Sequence, residues 1–185
     1  AECKERGERA MIQAFYSAAV GAQQQMRSMD VHANNIANIN TYGYKAQTPA
    51  FQALMYGMLD GADGSQLPKG SGSRLALTGS DFSGQDGYPI AVTDPAADLP
   101  VGVFNIQYQD GLERAGSERF LMNDKNGAVW TSGAKLQRGY LESSNADLAT
   151  ELTGVIEAQR SYSYALKMVT TADEVETTVN GLANV

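Results

Sequence analysis

The chain has 185 residues, 43% hydrophobic and 19% charged, so it is long enough for one packed domain and too apolar for global disorder. A net charge of −7 and the absence of any run of Lys and Arg argue against a nucleic-acid surface. The single cysteine, Cys3, excludes an intrachain disulfide, and no stretch of about 18 apolar residues predicts a membrane-spanning helix.

The first ten residues, AECKERGERA, differ in character from the rest of the chain. They are charged and lack the apolar segment of a secretory signal peptide. A different pattern begins at Met11, so we interpret residues 1–10 as an upstream extension or a vector-derived tag. The sequence leaves both interpretations open.

A long amphipathic helix is predicted from Met11 onward, because apolar side chains recur at alternating spacings of three and four residues. A pattern this regular over roughly four heptads is typical of a helix paired along its whole length. A single helix lying on an ordinary core explains a shorter stripe equally well. The N-terminal seam consists of Ile12, Phe15, Ala19, Ala22, Met26, Met29, Ala33 and Ile36.

Four asparagines crowd the end of this helix, although Asn is a poor residue for a helix interior. Asn34, Asn35 and Asn38 are expected on the flanks of the seam, and Asn40 lies where the helix should end. Gly43 can adopt the positive φ of a C-cap. Capping alone needs one or two amides, so the surplus predicts hydrogen bonds to lateral partners.

The middle of the chain, residues 47–140, is predicted to be a small β-rich domain, because Gly- and Pro-rich turns separate short apolar runs. A flexible Gly/Ser loop is expected at about residues 61–73. The expected strands are Leu75–Leu77, Pro89–Val92, an alternating segment from Val101 to Tyr108, Ala128–Trp130 and Lys135–Gln137.

A second seamed helix is predicted from Asn145 to Leu182, with Ser143, Ser144 or Asn145 as its N-cap. Its seam contains Leu148, Leu152, Val155, Leu166 and Val169, with Gln159 and Tyr162 at seam positions. The helix would be about 55 Å long at 1.5 Å per residue, which is too long for a compact domain of this size. We therefore predict an α+β fold in which residues 11–46 and 141–185 pair as a coiled-coil domain around the β-rich middle.

No catalytic, cofactor-binding or metal site is predicted. His32 is the only histidine, so a Ser-His-Asp triad or a multi-histidine metal site is hard to assemble. Gly70–Ser73 lacks the Gly-Lys-Ser/Thr ending of a phosphate-binding loop. The sequence therefore argues against an enzyme.

Two motifs carry a specific resemblance to a known family. Asn34-Asn35-Ile36-Ala37-Asn38-Ile39-Asn40-Thr41, followed by Gly43-Tyr44-Lys45, resembles the N-terminal signature of flagellar rod, hook and hook-associated proteins. Gly139-Tyr140-Leu141-Glu142-Ser143-Ser144-Asn145-Ala146-Asp147-Leu148 resembles the start of that family's C-terminal region. The chain is most similar to a distal rod protein with a shortened middle domain.

The resemblance implies a structural subunit whose terminal helices stack into a hollow axial tube in the basal body. Its implied partners are copies of itself, other rod and hook proteins, and the flagellar type III export apparatus, which exports subunits without a cleaved signal peptide. It implies no cofactor, no nucleic acid and no membrane insertion. The implied interface residues are Asn34, Asn35, Asn38, Asn40, Gly43, Tyr44, Lys45, Gln159, Arg160 and Tyr162.

Two alternatives remain open at this stage. One is a hook or hook-junction protein of the same family. The other is an extracellular coiled-coil adhesin or binding module, which would close into a dimer or trimer, whereas a rod subunit would form an open helical assembly.

Overall fold

The structure is a computed structural model that describes residues 2–60, 65–84, 87–89, 102–116, 119–133 and 139–183. Its residue contacts divide the chain into two units. Unit 1 contains Ala1–Ala33, Pro49–Thr78 and Ala149–Val185, and unit 2 contains Asn34–Thr48 and Gly79–Leu148. Residues 34–46 and 141–148 therefore group with the middle of the chain, whereas the predicted division joined them to the terminal helices.

The N-terminal helix, α1, spans Glu2–Ala37 and so begins upstream of Met11, where the prediction placed its start. The charged residues before Met11 are compatible with a helix, because Glu, Lys, Arg and Ala are good helix formers. The helix ends at Ala37, three residues before Asn40, where the prediction placed its end. A turn follows, closed by a bond from Thr41 N to Asn38 O. Gly43 then adopts a φ of 69°, a conformation that favours glycine.

The C-terminal helix, α2, spans Leu148–Ala183, so its 36 residues extend about 54 Å. The predicted start at Asn145 was three residues too early. The Asn145 side chain is hydrogen-bonded within unit 2 and does not cap the helix. The long helix itself is confirmed, and with the strands it gives the predicted α+β class.

The strands are short and pair two by two within the described ranges: β1 with β4, β2 with β3, β5 with β10, β6 with β9, and β7 with β8. The last four pairs are antiparallel. Their bounds are β1 Gln47–Ala53, β2 Gly57–Asp60, β3 Gln66–Lys69, β4 Ser73–Ser80, β5 Gly87–Pro89, β6 Phe104–Ile106, β7 Glu113–Gly116, β8 Arg119–Leu121, β9 Val129–Thr131 and β10 Tyr140–Glu142.

The prediction of a flexible loop at residues 61–73 was wrong in part. Residues 66–69 form β3, which pairs with β2 in register from Gly57 opposite Lys69 to Asp60 opposite Gln66. Pro68 does not prevent the pairing, because each strand of a two-stranded pair is an edge strand. In the described residues after β3, Gly72 has a φ of 98° in the turn before β4, whereas residues 61–64 lie outside the described residues.

The other predicted strands have mixed outcomes. Leu75–Leu77 lies in β4, and Val129 and Trp130 lie in β9. Of the longer alternating segment, the structure describes residues 102–108, among which only Phe104–Ile106 is a strand, and it pairs with β9. Pro89 ends β5, whereas residues 90–92 and 135–137 lie outside the described residues.

Unit 1 is held together by contacts of α1 with the strand segment and with α2. The backbone N–H of Leu75 donates to Oε1 of the buried Gln24 at 2.8 Å. His32 Nδ1 lies 2.6 Å from Glu151 Oε2, which joins the two long helices in this unit. These contacts explain why the β1–β4 region groups with the terminal helices.

Candidate functional site at the junction of the two terminal motifs

Asn35 is the centre of a hydrogen-bond network at the end of α1. Its side chain is fully buried, and its Nδ2 donates to Gln47 O at 2.8 Å. Its Oδ1 accepts from the Tyr44 hydroxyl at 2.9 Å and from Gln47 N at 3.0 Å. A buried amide needs such partners, because an unpaired one is costly. The amide therefore holds the exit from α1 through contacts within this chain. An intersubunit role for Asn35 stays a prediction.

The neighbouring asparagines act more locally. Asn34 Nδ2 donates to the Tyr44 hydroxyl at 3.0 Å, so this hydroxyl accepts from Asn34 and donates to Asn35. Asn38 Nδ2 donates to Asn34 O at 2.9 Å, and Asn38 Oδ1 accepts from Thr41 Oγ1 at 3.2 Å. Asn40 is exposed. An intersubunit role for Asn34, Asn38 and Asn40 stays a prediction.

The C-terminal motif closes onto the same turn through its backbone. Gly43 N donates to Glu142 O at 2.8 Å, and Asn145 N donates to Tyr44 O at 3.3 Å. Tyr44, Ala46 and Ala146 form a small buried apolar cluster, against which Ile39 packs. We call this region, residues 34–47 with residues 142–146, the motif junction.

Lys45 contributes a buried charge to the motif junction. Its Nζ donates to Glu142 Oε1 and to Ser83 O, both at 2.8 Å, and the residue is 8% exposed. A buried ammonium is tolerated where a carboxylate and a carbonyl satisfy its protons. The lysine therefore ties the N-terminal motif both to the C-terminal motif and to the segment after β4.

Replacing Lys45 by Met is expected to destabilise unit 2 by about 1–3 kcal/mol, because Glu142 loses its charged partner in a part-buried site. The measurement is urea unfolding followed by the fluorescence of Trp130, the only tryptophan, which lies in unit 2. Lys125→Met is the matched control, since Lys125 is exposed. Equal stability of both variants would contradict the assigned role of Lys45.

Asn145 ties the C-terminal motif to two other segments. Its Oδ1 accepts from Ala46 N at 2.7 Å, and its Nδ2 donates to Asp81 O at 2.8 Å and to Ser83 Oγ at 3.3 Å. The amide thereby substitutes for backbone pairing where three segments meet. The interpretation of Asn145 as an N-cap missed this role, because the sequence does not show which segments surround it.

Arg114 is a member of this site that the sequence analysis did not identify. Its guanidinium lies between two aromatic rings, with Cζ 5.3 Å from the Tyr44 ring centroid and 5.5 Å from that of Phe120. One of its nitrogens donates to Lys45 O at 2.6 Å and to Ser80 Oγ at 3.2 Å. Cation–π stacking and these bonds fix the β7–β8 pair to the motif junction. A lone arginine in a turn-rich segment gives no periodic signal that could have predicted this contact.

The predicted seam residues differ widely in exposure. Ala22 is buried, whereas Phe15 and Met26 on α1 and Leu152 and Leu166 on α2 are exposed, as is Leu148, the first residue of α2. Ala19, Met29, Ile36, Val155 and Val169 are half-buried, Ala33 is exposed, and the Ile12 side chain lies outside the described residues. Their pairing role stays a prediction, as do the interface roles of Gln159, Arg160 and Tyr162, of which only Tyr162 is partly covered.

Gly154 is a further residue of structural importance that the sequence analysis did not identify. A Cβ at this position would lie 2.5 Å from His32 Cε1, so only glycine lets the imidazole pack on α2. The His32 side chain is mostly covered, and it is bound to Glu151.

Replacing Gly154 by Ala is expected to lower the stability of unit 1 by about 1–2 kcal/mol, because the overpacked imidazole must move. Gly21→Ala is the matched control, since a Cβ there meets nothing within 4 Å. That change is expected to raise stability by up to about 1 kcal/mol through helix propensity. Thermal unfolding followed by circular dichroism measures both, and the reverse order of melting temperatures would refute the packing of His32 on Gly154.

Within the described ranges, no group of three or more His, Cys, Asp or Glu residues could hold a metal ion. No helix among the described residues is long and apolar enough to cross a membrane.

Comparison with protein families gives matches at both ends of the chain. The family described as "Flagella basal body rod protein" matches residues 15–45, and "Flagellar basal body rod FlgEFG protein C-terminal" matches residues 137–182. The motif junction thus joins the end of the first match to the start of the second.

Curated relatives give the same picture. The chain is 26% identical to the flagellar basal-body rod protein FlgG of Caulobacter vibrioides, over 89% of this chain and 97% of the relative. It is 23% identical to FlgG of Agrobacterium fabrum, over 91% of this chain and 98% of that relative. It is 33% identical to the flagellar hook protein FlgE of Borreliella burgdorferi, over 63% of this chain and 30% of the relative. The alignment to the Caulobacter relative has 253 positions, whereas this chain has 185 residues. The alignment therefore contains long gaps in this chain, opposite residues that only the relative has.

Proposed function

The chain belongs to the flagellar basal-body rod and hook protein family and is most like FlgG, and on this premise we propose that it is a subunit of the basal-body rod that polymerises helically into the hollow axial shaft. This family consists of structural flagellar proteins, and accordingly the proposal includes no enzymatic activity. The neighbours in the shaft would be further copies of this chain and the adjoining rod and hook proteins.

The observation that carries the proposal is the number of large apolar side chains that α2 exposes to solvent. Its exposed side chains range from 42% exposure for Leu166 to 74% for Leu182. They extend over much of the helix and are Leu152, Ile156, Leu166, Met168, Val175 and Leu182. A monomeric soluble protein rarely exposes so many large apolar side chains along one helix, whereas a subunit packed among neighbours would bury them.

The terminal helices are proposed to pair as the inner coiled-coil domain of the shaft. The His32–Glu151 contact and the close fit of His32 against Gly154 support this pairing near the end of α1. The seam residues would then pack partly against the other helix of the same chain and partly against neighbouring subunits.

A rod subunit is favoured over a hook protein by the extent of the relatives. FlgG relatives match this chain over nearly their whole length, whereas the FlgE relative matches over less than a third of its own. Location in the basal body and export through the type III gate without a cleaved signal peptide are part of the proposal. An adhesin or binding module with a closed coiled-coil stalk has no observation in its favour.

Deletion of the gene in its source bacterium, with electron microscopy of the isolated basal bodies, tests the proposal. Truncated rods without hooks are expected, and the wild-type gene supplied in trans should restore both. Complete rods and hooks with normal motility in the deletion strain would refute the proposed function.

A further inference from the structure

One face of α2 carries three exposed charges at a seven-residue spacing: Arg160, Lys167 and Glu174. Seven residues make nearly two helical turns, so the three side chains follow one stripe. Lys167 lies about 180° around the helix from the buried Ala158, at about 100° per residue. We call these three residues the charged stripe.

The charged stripe has no salt-bridge partner in the part of the chain that the structure describes. Among the described residues none of its three members forms an ion pair, and Lys167 Nζ lies 5.6 Å from the ring centroid of Tyr164. Ile156 and Tyr164 beside it are 50% and 63% exposed. Exposed aliphatic and aromatic side chains with charges beside them are compatible with a contact surface that has a polar rim.

The order of the charges, positive, positive, negative, restricts how two copies can pack through the stripe. Parallel helices in register would bring like charges together. Antiparallel helices centred on Lys167 would place that lysine against its own symmetry mate. A parallel arrangement shifted by 14 residues, about 21 Å, faces Arg160 of one copy with Glu174 of the next and creates no like-charge pair within the stripe.

We infer that successive subunits pack through the charged stripe in this shifted parallel arrangement, with Arg160 of one copy bonded to Glu174 of the next. The inference rests on the proposed function and adds the contact surface and its register. The contact is heterologous, because each copy offers a different part of α2 to each neighbour. Its axial shift of about 21 Å prevents ring closure, so the contact extends into an open assembly. An Arg–carboxylate pair is suited to fixing register, because the guanidinium can form two parallel hydrogen bonds.

One closed arrangement competes with this one. Antiparallel helices centred between Thr170 and Thr171 would face Lys167 with Glu174 twice and leave Arg160 opposite Gly181. That arrangement yields a dimer only. The two arrangements therefore differ in which basic residue meets Glu174 and in whether the contact propagates.

Disulfide trapping in isolated basal bodies separates the two. In a Cys3→Ser background, the full-length Arg160→Cys/Glu174→Cys variant is expressed in the deletion strain, and basal bodies are oxidised and run on a non-reducing gel. Because a disulfide needs Cβ atoms about 3.5–4.5 Å apart, only direct neighbours are linked. A ladder of dimers, trimers and larger species is expected, and each single-cysteine variant should remain monomeric.

Charge exchange gives a second readout for the case in which the cysteine pair prevents assembly. Arg160→Glu and Glu174→Arg alone are each expected to reduce motility at least tenfold, and the double exchange should restore most of it. Lys125→Glu, which makes the same change in net charge as Arg160→Glu but on an exposed residue of unit 2, should have little effect.

The outcomes distinguish this inference from the function on which it rests. Rods of normal length that contain the cysteine variant, but give no species above a dimer, would overturn the shifted parallel contact and leave the rod function intact. Single charge reversals without effect on motility would overturn it equally. Wild-type basal bodies that lack this chain would overturn the proposed function itself.

Discussion

Replacing Asn35 by Leu is expected to destabilise unit 2 by about 3–5 kcal/mol, which is a large share of the stability of an ordinary domain. Leucine is close in size to asparagine, but it cannot pair with the N–H and C=O of Gln47 or accept from the Tyr44 hydroxyl. Each group left unpaired in a buried site costs its full desolvation penalty. Urea unfolding followed by Trp130 fluorescence measures the loss.

The other asparagines of the motif provide the controls for Asn35→Leu. Asn40→Leu should change stability by less than about 0.5 kcal/mol, because Asn40 is exposed. Asn38→Leu should fall between the two, since its bonds reach only Asn34 and Thr41. A loss for Asn35→Leu no greater than that for Asn38→Leu would mean that the buried amide is not the centre of the network.

Replacing Asn145 by Ala is the second large expected effect, at about 2–4 kcal/mol, because three hydrogen bonds are lost together. The change removes the hydrogen bonds that join the C-terminal motif to Ala46 N and to the segment containing Asp81 and Ser83. If Asn145 served only as a helix cap, its loss would cost about 1 kcal/mol and would fray the start of α2. The size of the loss therefore distinguishes the two roles.

Two measurements make this second prediction specific. Asn105→Ala, at an exposed position of β6, should leave the urea midpoint nearly unchanged. Hydrogen exchange of the Asn145→Ala variant should accelerate at the amide of Ala46, which loses its acceptor, and remain slow in the middle of α2. Unchanged protection from exchange at Ala46 would show that Asn145 does not fix the residue that precedes β1.

Helices could be predicted from this sequence more reliably than strands, for a physical reason. A heptad pattern repeats over many turns, so both long helices were predicted. The C-terminal end of each helix was placed within a few residues, whereas α1 begins well before the predicted start at Met11. The strands have three to eight residues in two-stranded pairs, and most side chains on them are exposed. A short, exposed strand has no strong alternation of apolar and polar residues, so its partner cannot be identified from sequence alone.

For the candidate site too, the sequence motifs identified residues, but they did not show which contacts those residues make. Resemblance identified the residues of both motifs, including Asn35, Tyr44 and Lys45. It did not show that Asn35 faces inward. Because the seam was defined from apolar residues alone, the polar Asn35 was assigned to its flank. Arg114 and Gly154 were missed because their roles come from segments distant in the sequence, the Tyr44 ring in one case and the His32 ring in the other.

Cryo-electron microscopy of basal bodies isolated from the source bacterium tests the central claim most directly. The account predicts that copies of this chain repeat helically along the rod, with α1 and α2 nearest the axis. Within each copy, the Asn35 side chain should remain bonded to Tyr44 and Gln47. A rod built without this chain, or copies of it confined to the outside of the axis, would contradict the account.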